Sequence, residues 1–361
     1  MTQDIEALKA LGLGPWFKEH IDSALAQDLQ LARVAAVDRD ACLVNNGQRE
    51  VVAHLTGKMK WAADSPLDFP CVGDWAYVRM LDEESFAVLH AILPRRTHLQ
   101  RKTAGKKIDF QLIAANVDAA FVVQALGGDF SLPRLERYLV MANQGGVEPV
   151  VLLSKSDLFS PGEVAARAEQ VRAALPGTPV LCFSNQSGQG LDGILGFMNP
   201  GKTYCLLGSS GVGKTSLINR ILGQEAFATR TARLKDEKGR HTTTRRYLLP
   251  LSSGAMLIDT PGMRELGGLA VEQGISETFQ DIEELSQACR FRDCTHTQEK
   301  GCAVLAALRD GGLSPERYEN YLKLVRESSH NQMSYYEKRQ KDRSFSKMVK
   351  SVMKDKGKGK R

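Results

Sequence analysis

Gly208-Ser209-Ser210-Gly211-Val212-Gly213-Lys214-Thr215 has the spacing of a phosphate-binding loop, and Ser154-Lys155-Ser156-Asp157, patterned as a guanine-binding motif, precedes it in the chain. The order decides the fold. The loop implies a nucleoside triphosphate, Lys-x-Asp implies guanine, and the inverted order implies a GTPase domain whose chain has been rearranged. An ordinary GTPase runs phosphate loop, switch, Asp-x-x-Gly, base motif. With the base motif first, the nucleotide domain ends just after a switch. Whatever follows is tethered to a segment that responds to nucleotide state.

The context of the loop is the one its chemistry requires. Tyr204-Cys205-Leu206-Leu207 is an apolar strand, and Lys214-Thr215-Ser216-Leu217-Ile218 opens a helix. Gly208, Gly211 and Gly213 let the backbone N–H groups of the loop, those of Ser209, Ser210 and Val212 included, turn inward around phosphates. The helix N-terminus adds its dipole. Lys214 is expected at the β- and γ-phosphates and Thr215 on Mg²⁺. Asp259-Thr260-Pro261-Gly262 follows a second apolar strand. There Asp259 would act on the metal through water, and the Gly262 N–H would meet the γ-phosphate. Between them Lys238-Gly239-Arg240-His241-Thr242-Thr243-Thr244-Arg245 has the composition of a switch. Thr243 is favoured as the second Mg²⁺ ligand, although spacing does not separate it from Thr242 and Thr244. Met263 stands where Ras-like enzymes place a glutamine that orients the attacking water. A thioether cannot do this, so another group is needed. His241 is the nearest candidate, and a surface position or an RNA contact is its other reading.

In the base motif, Asp157 can accept from guanine N1–H and the 2-amino group together, which adenine cannot offer. Lys155 would lay its aliphatic stem over the base. Ser154 replaces the usual Asn or Thr and is expected to weaken the bracing of the phosphate loop. Ser184-Asn185-Gln186-Ser187-Gly188, after the strand Val180–Phe183, reads as a second base loop, with the Asn185 N–H on guanine O6.

Cys289-x4-Cys294-x-His296-x5-Cys302 offers three thiolates and one imidazole, a closed tetrahedral zinc set with no open coordination position. The predicted role is structural. The other four cysteines, Cys42, Cys71, Cys182 and Cys205, are scattered.

Around these motifs the 361-residue chain changes texture. Residues 5–27 read as a helical lead-in anchored by Trp16 and Phe17. Five short strands between 31 and 94, with turns at Asn45-Asn46-Gly47 and Val72-Gly73-Asp74, indicate a small β-barrel, for which the oligonucleotide-binding (OB) type is one candidate. A basic connector carries Arg95, Arg96, Arg101, Lys102, Lys106 and Lys107. Continuous apolar runs at 119–123, 150–153, 180–183, 204–207 and 255–258, with helical patterns at 132–144, 161–174 and 214–222, predict a doubly wound parallel sheet with its motifs at strand ends. Beyond Gly268 the pattern is helical, with a helix start at Ser314-Pro315. The divisions expected are 1–30, 31–97, 98–268, 269–332 and a tail, 333–361.

The net charge of +6 is unevenly placed. Residues 335–361 carry eleven Lys/Arg against Glu337, Asp342 and Asp355, or +8, which leaves −2 for the rest (37 basic, 39 acidic). The tail is therefore a candidate polyanion contact. No apolar run approaches the roughly 20 residues of a membrane span, and the first residues lack the pattern of a signal peptide. A cytoplasmic protein is expected, and clustered cysteines there favour metal over disulfides.

Taken together these residues resemble the ribosome-small-subunit-dependent GTPase family (RsgA, also called YjeQ), the circularly permuted GTPases. The resemblance runs over most of the chain: Val72-Gly73-Asp74-Trp75, Arg95-Arg96-Thr97, Ala115-Asn116-Val117-Asp118, the phosphate loop, Gly239-Arg240-His241-Thr242-Thr243, Asp259-Thr260-Pro261-Gly262 and the Cys-Cys-His-Cys set. It implies an N-terminal OB-type barrel, a central α/β permuted GTPase domain and a C-terminal helical zinc-binding domain. It also implies GTP hydrolysis stimulated by the small (30S) ribosomal subunit during late maturation, with its rRNA and other assembly factors as partners. GTP or GDP, Mg²⁺ and one Zn²⁺ are the expected cofactors, and a monomer the expected state. Asn185 departs from the family, where alanine is usual, as does Ser154; both bear on nucleotide affinity. Some related GTPases hold potassium through an asparagine of the phosphate loop. Gly211 stands at that position, so potassium activation is not expected. A permuted GTPase of the large subunit would lack the barrel and zinc set, an RNA-binding scaffold without turnover is left open by Met263, and Asp157 argues against an ATPase.

Overall fold

The computed structural model describes residues 4–38, 41–81, 85–102, 110–223, 246–260 and 272–332. Three short helices, α1 (Ile5–Ala10), α2 (Pro15–Glu19) and α3 (Ser23–Asp28), lead into a barrel. Asp4 and Asp22 cap α1 and α3 by accepting from N–H groups of the first turn.

The barrel strands are β1 (Gln30–Val37), β2 (Ala41–Asn45), β3 (Glu50–Leu55), β4 (Trp75–Leu81) and β5 (Phe86–Ile92), with helix α4 (Gly57–Ala62) between β3 and β4. They pair in the order β1-β2-β3-β5-β4, and β4 returns to β1 to close the sheet. The β3–β5 pair is parallel and the rest are antiparallel. This is the five-stranded OB-type barrel. Ala32, Val34, Val44, Ala53, Val78 and Leu89 fill it. On β1, residues 31–36 are all buried, the inward ones by the barrel and the others by what packs outside. Phe17 and Leu8 of the lead-in pack there with Leu31 and Trp75. Phe17 is thus a core anchor, whereas Trp16 is half-buried and stacks on His20.

A hairpin of β6 (His98–Lys102) and β7 (Phe110–Ala115) follows, within a stretch whose composition suggested only a basic connector. The nucleotide sheet contains β8 (Ala119–Ala125), β9 (Glu148–Ser154), β10 (Val180–Cys182), β11 (Thr203–Leu207), β12 (Tyr247–Pro250) and β13 (Met256–Asp259), in the order β10-β9-β8-β11-β13-β12. All are parallel except β12, a strand not expected from the sequence pattern. Tyr247 of β12 pairs with Ala36 of β1, so barrel and nucleotide sheet are continuous. Helices α5 (Leu132–Gln144) and α6 (Pro161–Ala174) begin at Ser131 and Ser160, each with a proline in the first turn. Helix α7 (Leu191–Phe197) and α8, over 214–223, complete the described helices of this layer. Apolar cores lie on both faces of the sheet.

At the C-terminal end, α9 (Glu272–Thr278), α10 (Gln280–Ser286), α11 (Ala303–Arg309) and α12 (Pro315–Gln332) form the helical module. No helix of the described residues is long and apolar enough to cross a membrane.

Candidate nucleotide site and metal centre

The phosphate loop runs from the end of β11 to α8. Gly208 (φ 140°) lies so close to β8 that a Cβ would sit 2.2 Å from the Val123 carbonyl oxygen. Only glycine fits that approach. Lys214 Nζ donates to the Gly208 carbonyl at 2.7 Å and to that of Ser209, so the ammonium lies over its own loop. Burial pulls Lys214 below the usual lysine range, with Asp259 acting in the opposite sense. Thr215 and Ser216 are exposed at the start of α8, and Val212 is buried beneath the loop. At the end of β13, Asp259 is partly buried, and the Thr260 hydroxyl donates to the Leu206 carbonyl at 2.5 Å, which ties that turn to β11.

The two base loops stand at the ends of β9 and β10 and reach the phosphate loop directly. Ser154 is fully buried, and its Oγ donates to the Val212 carbonyl at 2.6 Å. Serine, in place of the usual Asn or Thr, still reaches the phosphate loop. Lys155 is left-handed (φ 64°), which turns the chain sharply so that Lys155 and Asp157 are both exposed. Ser156 N donates to the Phe183 carbonyl at 3.2 Å and joins the two loops. The Ser184 hydroxyl accepts from the N–H groups of Gln186 and Ser187 at 3.0 and 3.1 Å and so shapes the second loop. Asn185 Nδ2 donates to the Gly213 carbonyl at 3.0 Å.

Ser154 and Asn185 therefore reach the segment 208–216, and Lys155, Asp157 and Ser184 stand on the same two loops, although the sequence separates these loops from it. His241, Thr242, Thr243, Thr244, Gly262 and Met263 lie outside the described residues. Sequence reasoning missed Arg134. Its guanidinium, ion-paired to Asp129 at 2.9 Å, donates to Ser209 Oγ at 3.2 Å. One turn on, buried Tyr138 has its pKa raised by burial, with Ser209 acting in the opposite sense. The i, i+4 spacing on a helix that follows a strand end was the available signal.

The opposite flank of α5 holds the C-terminal module. Buried Glu136 accepts from Arg317 and from Asn320, each at 2.5 Å, and Arg317 also pairs with Asp281 at 2.6 and 2.8 Å. Arg137 and Glu327 pair through both guanidinium nitrogens at 2.7 and 2.8 Å. One helix thus touches both the phosphate loop and the zinc module.

In that module the ligand atoms of Cys289, Cys294, His296 and Cys302 lie within 4.8 Å of one another. The Cys289–Cys302 sulfur separation is 3.8 Å, and His296 Nδ1 lies 3.6 and 3.5 Å from Cys289 and Cys302. A tetrahedral zinc with Zn–S of about 2.3 Å and Zn–N of about 2.0 Å requires edges of about 3.8 and 3.5 Å. The donor set fits. The N–H groups of Ala303 and Leu305 point at Cys289 and Cys302 sulfur at 3.3 and 3.4 Å, which suits thiolates at the start of α11. His296 is held left-handed (φ 58°), and its carbonyl accepts from the Tyr318 hydroxyl at 2.6 Å. A zinc ion held by these four would tie the 289–302 loop to α11 and α12.

Residues 92–269 match the family model described as RsgA GTPase. A protein of Opitutus terrae named small ribosomal subunit biogenesis GTPase RsgA is 42% identical over 333 residues, 90% of each chain. The chain belongs to the RsgA GTPase family. A second RsgA relative, RsgA 2 of Lactiplantibacillus plantarum, is 43% identical over 300 residues, 83% of this chain and 84% of that one. Two solved structures show the same fold. The crystal structure of YjeQ from Thermotoga maritima has a TM-score of 0.61 at 24% identity, over 83% of this chain and 98% of that one. YloQ, described as a circularly permuted GTPase, has a TM-score of 0.60 at 25% identity, over 85% and 97%. The RsgA resemblance drawn from the motifs is borne out, as are the permuted GTPase fold and the OB-type barrel.

Proposed function

We propose that this chain is a GTPase that binds the small ribosomal subunit and its rRNA late in the subunit's maturation, and hydrolyses GTP to GDP and phosphate with turnover stimulated by that subunit. The observation that carries the reading is the Ser154–Val212 contact, which joins a guanine-type base loop to a phosphate loop in a chain whose relatives bear the RsgA name. Asp157 and Lys155 take the guanine, with the Asn185 N–H on O6. The N–H groups of Gly208 to Lys214 and the Lys214 ammonium take the phosphates. Thr215 and Thr243 would hold Mg²⁺, with Asp259 acting through water, and the ion supplies charge neutralisation at the phosphates. Ser216 supports Thr215 at the helix start, and Ser184 shapes the O6 loop. Gly262 senses the γ-phosphate. His241 positions the attacking water, or the subunit supplies that group.

The barrel, the zinc module and the basic tail are the three surfaces offered to rRNA, and such phosphate contacts make affinity fall steeply with salt. The working division is a lead-in (1–30), barrel (31–97), GTPase domain (98–268), zinc module (269–332) and tail (333–361), in a cytoplasmic monomer that meets other small-subunit assembly factors on the same particle.

Phosphate release from GTP and from ATP, with small subunits, with large subunits and alone, tests the proposal. Stimulation restricted to GTP and small subunits is the expected result. Binding of GTP with no stimulated release would instead make the protein a nucleotide-gated scaffold. His241→Ala should bind GTP normally and lose stimulated turnover; full turnover would remove the histidine from the catalytic set.

A further inference from the structure

Two side chains, one from each base loop, reach adjacent peptide groups of the phosphate loop. Ser154 Oγ takes the Val212 carbonyl at 2.6 Å, and Asn185 Nδ2 takes the Gly213 carbonyl at 3.0 Å. A trans peptide unit is planar, with its C=O and N–H on opposite sides. Holding the Val212 carbonyl at the base loops therefore turns the Gly213 N–H the other way, and holding the Gly213 carbonyl does the same for the Lys214 N–H. These N–H groups stand where loop becomes helix, the part of such a loop that receives phosphate oxygens. The Gly213 carbonyl also accepts from Leu217 N at 2.9 Å, the first bond of α8. A carbonyl oxygen has two lone pairs, so both donors are accommodated.

The fit around Asn185 is close on every side. A Cβ on Gly213 (φ 99°) would lie 2.8 Å from Asn185 Nδ2, so the amide reaches the loop only because residue 213 is glycine. The Asn185 carbonyl accepts from Arg220 Nη2 at 2.7 Å, a side chain of α8 itself. Asn185 Oδ1 is buried with no hydrogen-bond partner among the described residues. A flipped amide would set that oxygen against the Gly213 carbonyl, acceptor against acceptor. The amide is thus held in the one orientation that serves Gly213, at the cost of an unmade bond.

We propose that Asn185 is a positioning residue for the nucleotide phosphates. It ties the guanine loop to the phosphate loop and pre-sets the Lys214 N–H for the β-phosphate, so that base and phosphate recognition reinforce each other and release of nucleotide is slowed. The assignment rests on the guanine-nucleotide reading of the site. Ser154 secures one peptide of the loop, and Asn185 extends the same device to the next.

The test is release of mant-GDP from the full chain, followed by fluorescence after chase with excess GDP, together with equilibrium competition of GDP and of IDP against mant-GDP and the melting temperature of the nucleotide-free protein. Loss of one hydrogen bond should make release from Asn185→Ala about three- to tenfold faster. The preference for GDP over IDP, set at Asp157, should stay at the wild-type ratio, and the nucleotide-free melting temperature should fall by no more than one lost hydrogen bond accounts for. Asn185→Asp keeps the size, loses the donor and adds negative charge beside the phosphates, so it should release faster than the alanine variant. Release within about twofold of wild type in both variants would overturn the assignment. So would loss of the GDP preference, or a fall in melting temperature larger than one hydrogen bond accounts for. Failure of the wild-type chain to bind mant-GDP at all would instead sink the guanine reading on which the assignment stands.

Discussion

Arg33 of the barrel donates to the Thr203 hydroxyl at 2.8 Å, at the foot of the strand that ends in the phosphate loop. The same guanidinium donates to the carbonyls of Gly73 at 3.3 Å and Asn116 at 3.2 Å, to that of Leu11, and to Met256 sulfur at 3.1 Å. Lead-in, barrel, hairpin exit and the feet of β11 and β13 therefore meet at one buried cation. Burial pulls its pKa down to about 10, so it remains charged at neutral pH.

Arg33→Met should lower stability by about 2–4 kcal/mol, because several buried acceptors lose their donor at once. Arg33→Lys should recover only part of the loss, since one ammonium cannot span acceptors set around a planar fork. Urea denaturation of both variants against wild type checks the order.

The junction also sets an acid limit. Asp118 sits beside Arg33 and binds Lys202 at 2.9 Å, the Thr203 N–H at 2.8 Å, and Arg96. Burial alone would raise its pKa, but these partners outweigh it and hold the carboxyl below the usual range. A carboxyl with a depressed folded pKa contributes stability that is complete above the unfolded value and is lost as pH falls through the folded one. The stability gap between wild type and Asp118→Asn should be full at about pH 6 and should narrow below about pH 4. Chemical denaturation across that range measures it; a gap that widens with acid would contradict the assignment.

Glu136 and Arg317 should behave as a buried pair. Arg317→Ala leaves Glu136 buried without its main partner and should cost about 3–5 kcal/mol at the module boundary. The double variant Glu136→Gln with Arg317→Met should recover part of that loss. A double-mutant cycle, read by unfolding and by the rate of proteolysis within 272–332, gives the coupling.

The zinc centre predicts a metal stoichiometry. Wild type should carry one zinc per chain, and Cys289→Ser or Cys302→Ser should reduce it towards none. Chelation should loosen α11 and α12 while nucleotide binding at the distant loop survives. Metal analysis with mant-GDP titration of the same samples decides this; loss of nucleotide binding on mild chelation would mean that α5 couples the zinc module to the phosphate loop.

The legible parts of this protein were those encoded within one element or one short spacing. The sequence boundaries of α5 and α6 coincide with the structure because serine caps and first-turn prolines mark a helix start locally. The Cys-Cys-His-Cys cluster was readable because its four residues fall within fourteen positions, and the structure brings them together. The β6–β7 hairpin was not readable. Its Gln100, Arg101 and Lys102 lie half-buried in a two-stranded sheet, and their composition is that of a connector. β12 spans only four residues and ends in proline, too short to show a period.

The sequence by itself determined the guanine-nucleotide chemistry, the inverted motif order and the Cys-Cys-His-Cys spacing, since each depends on residue types at fixed short separations. Only the tertiary structure decided how those parts are joined. Barrel closure through β1 and β4, the grip of Arg134 on Ser209, and the reach of Asn185 to Gly213 all pair residues distant along the chain. Such contacts are set by how strands order themselves in a sheet, and no local pattern of side chains records that order.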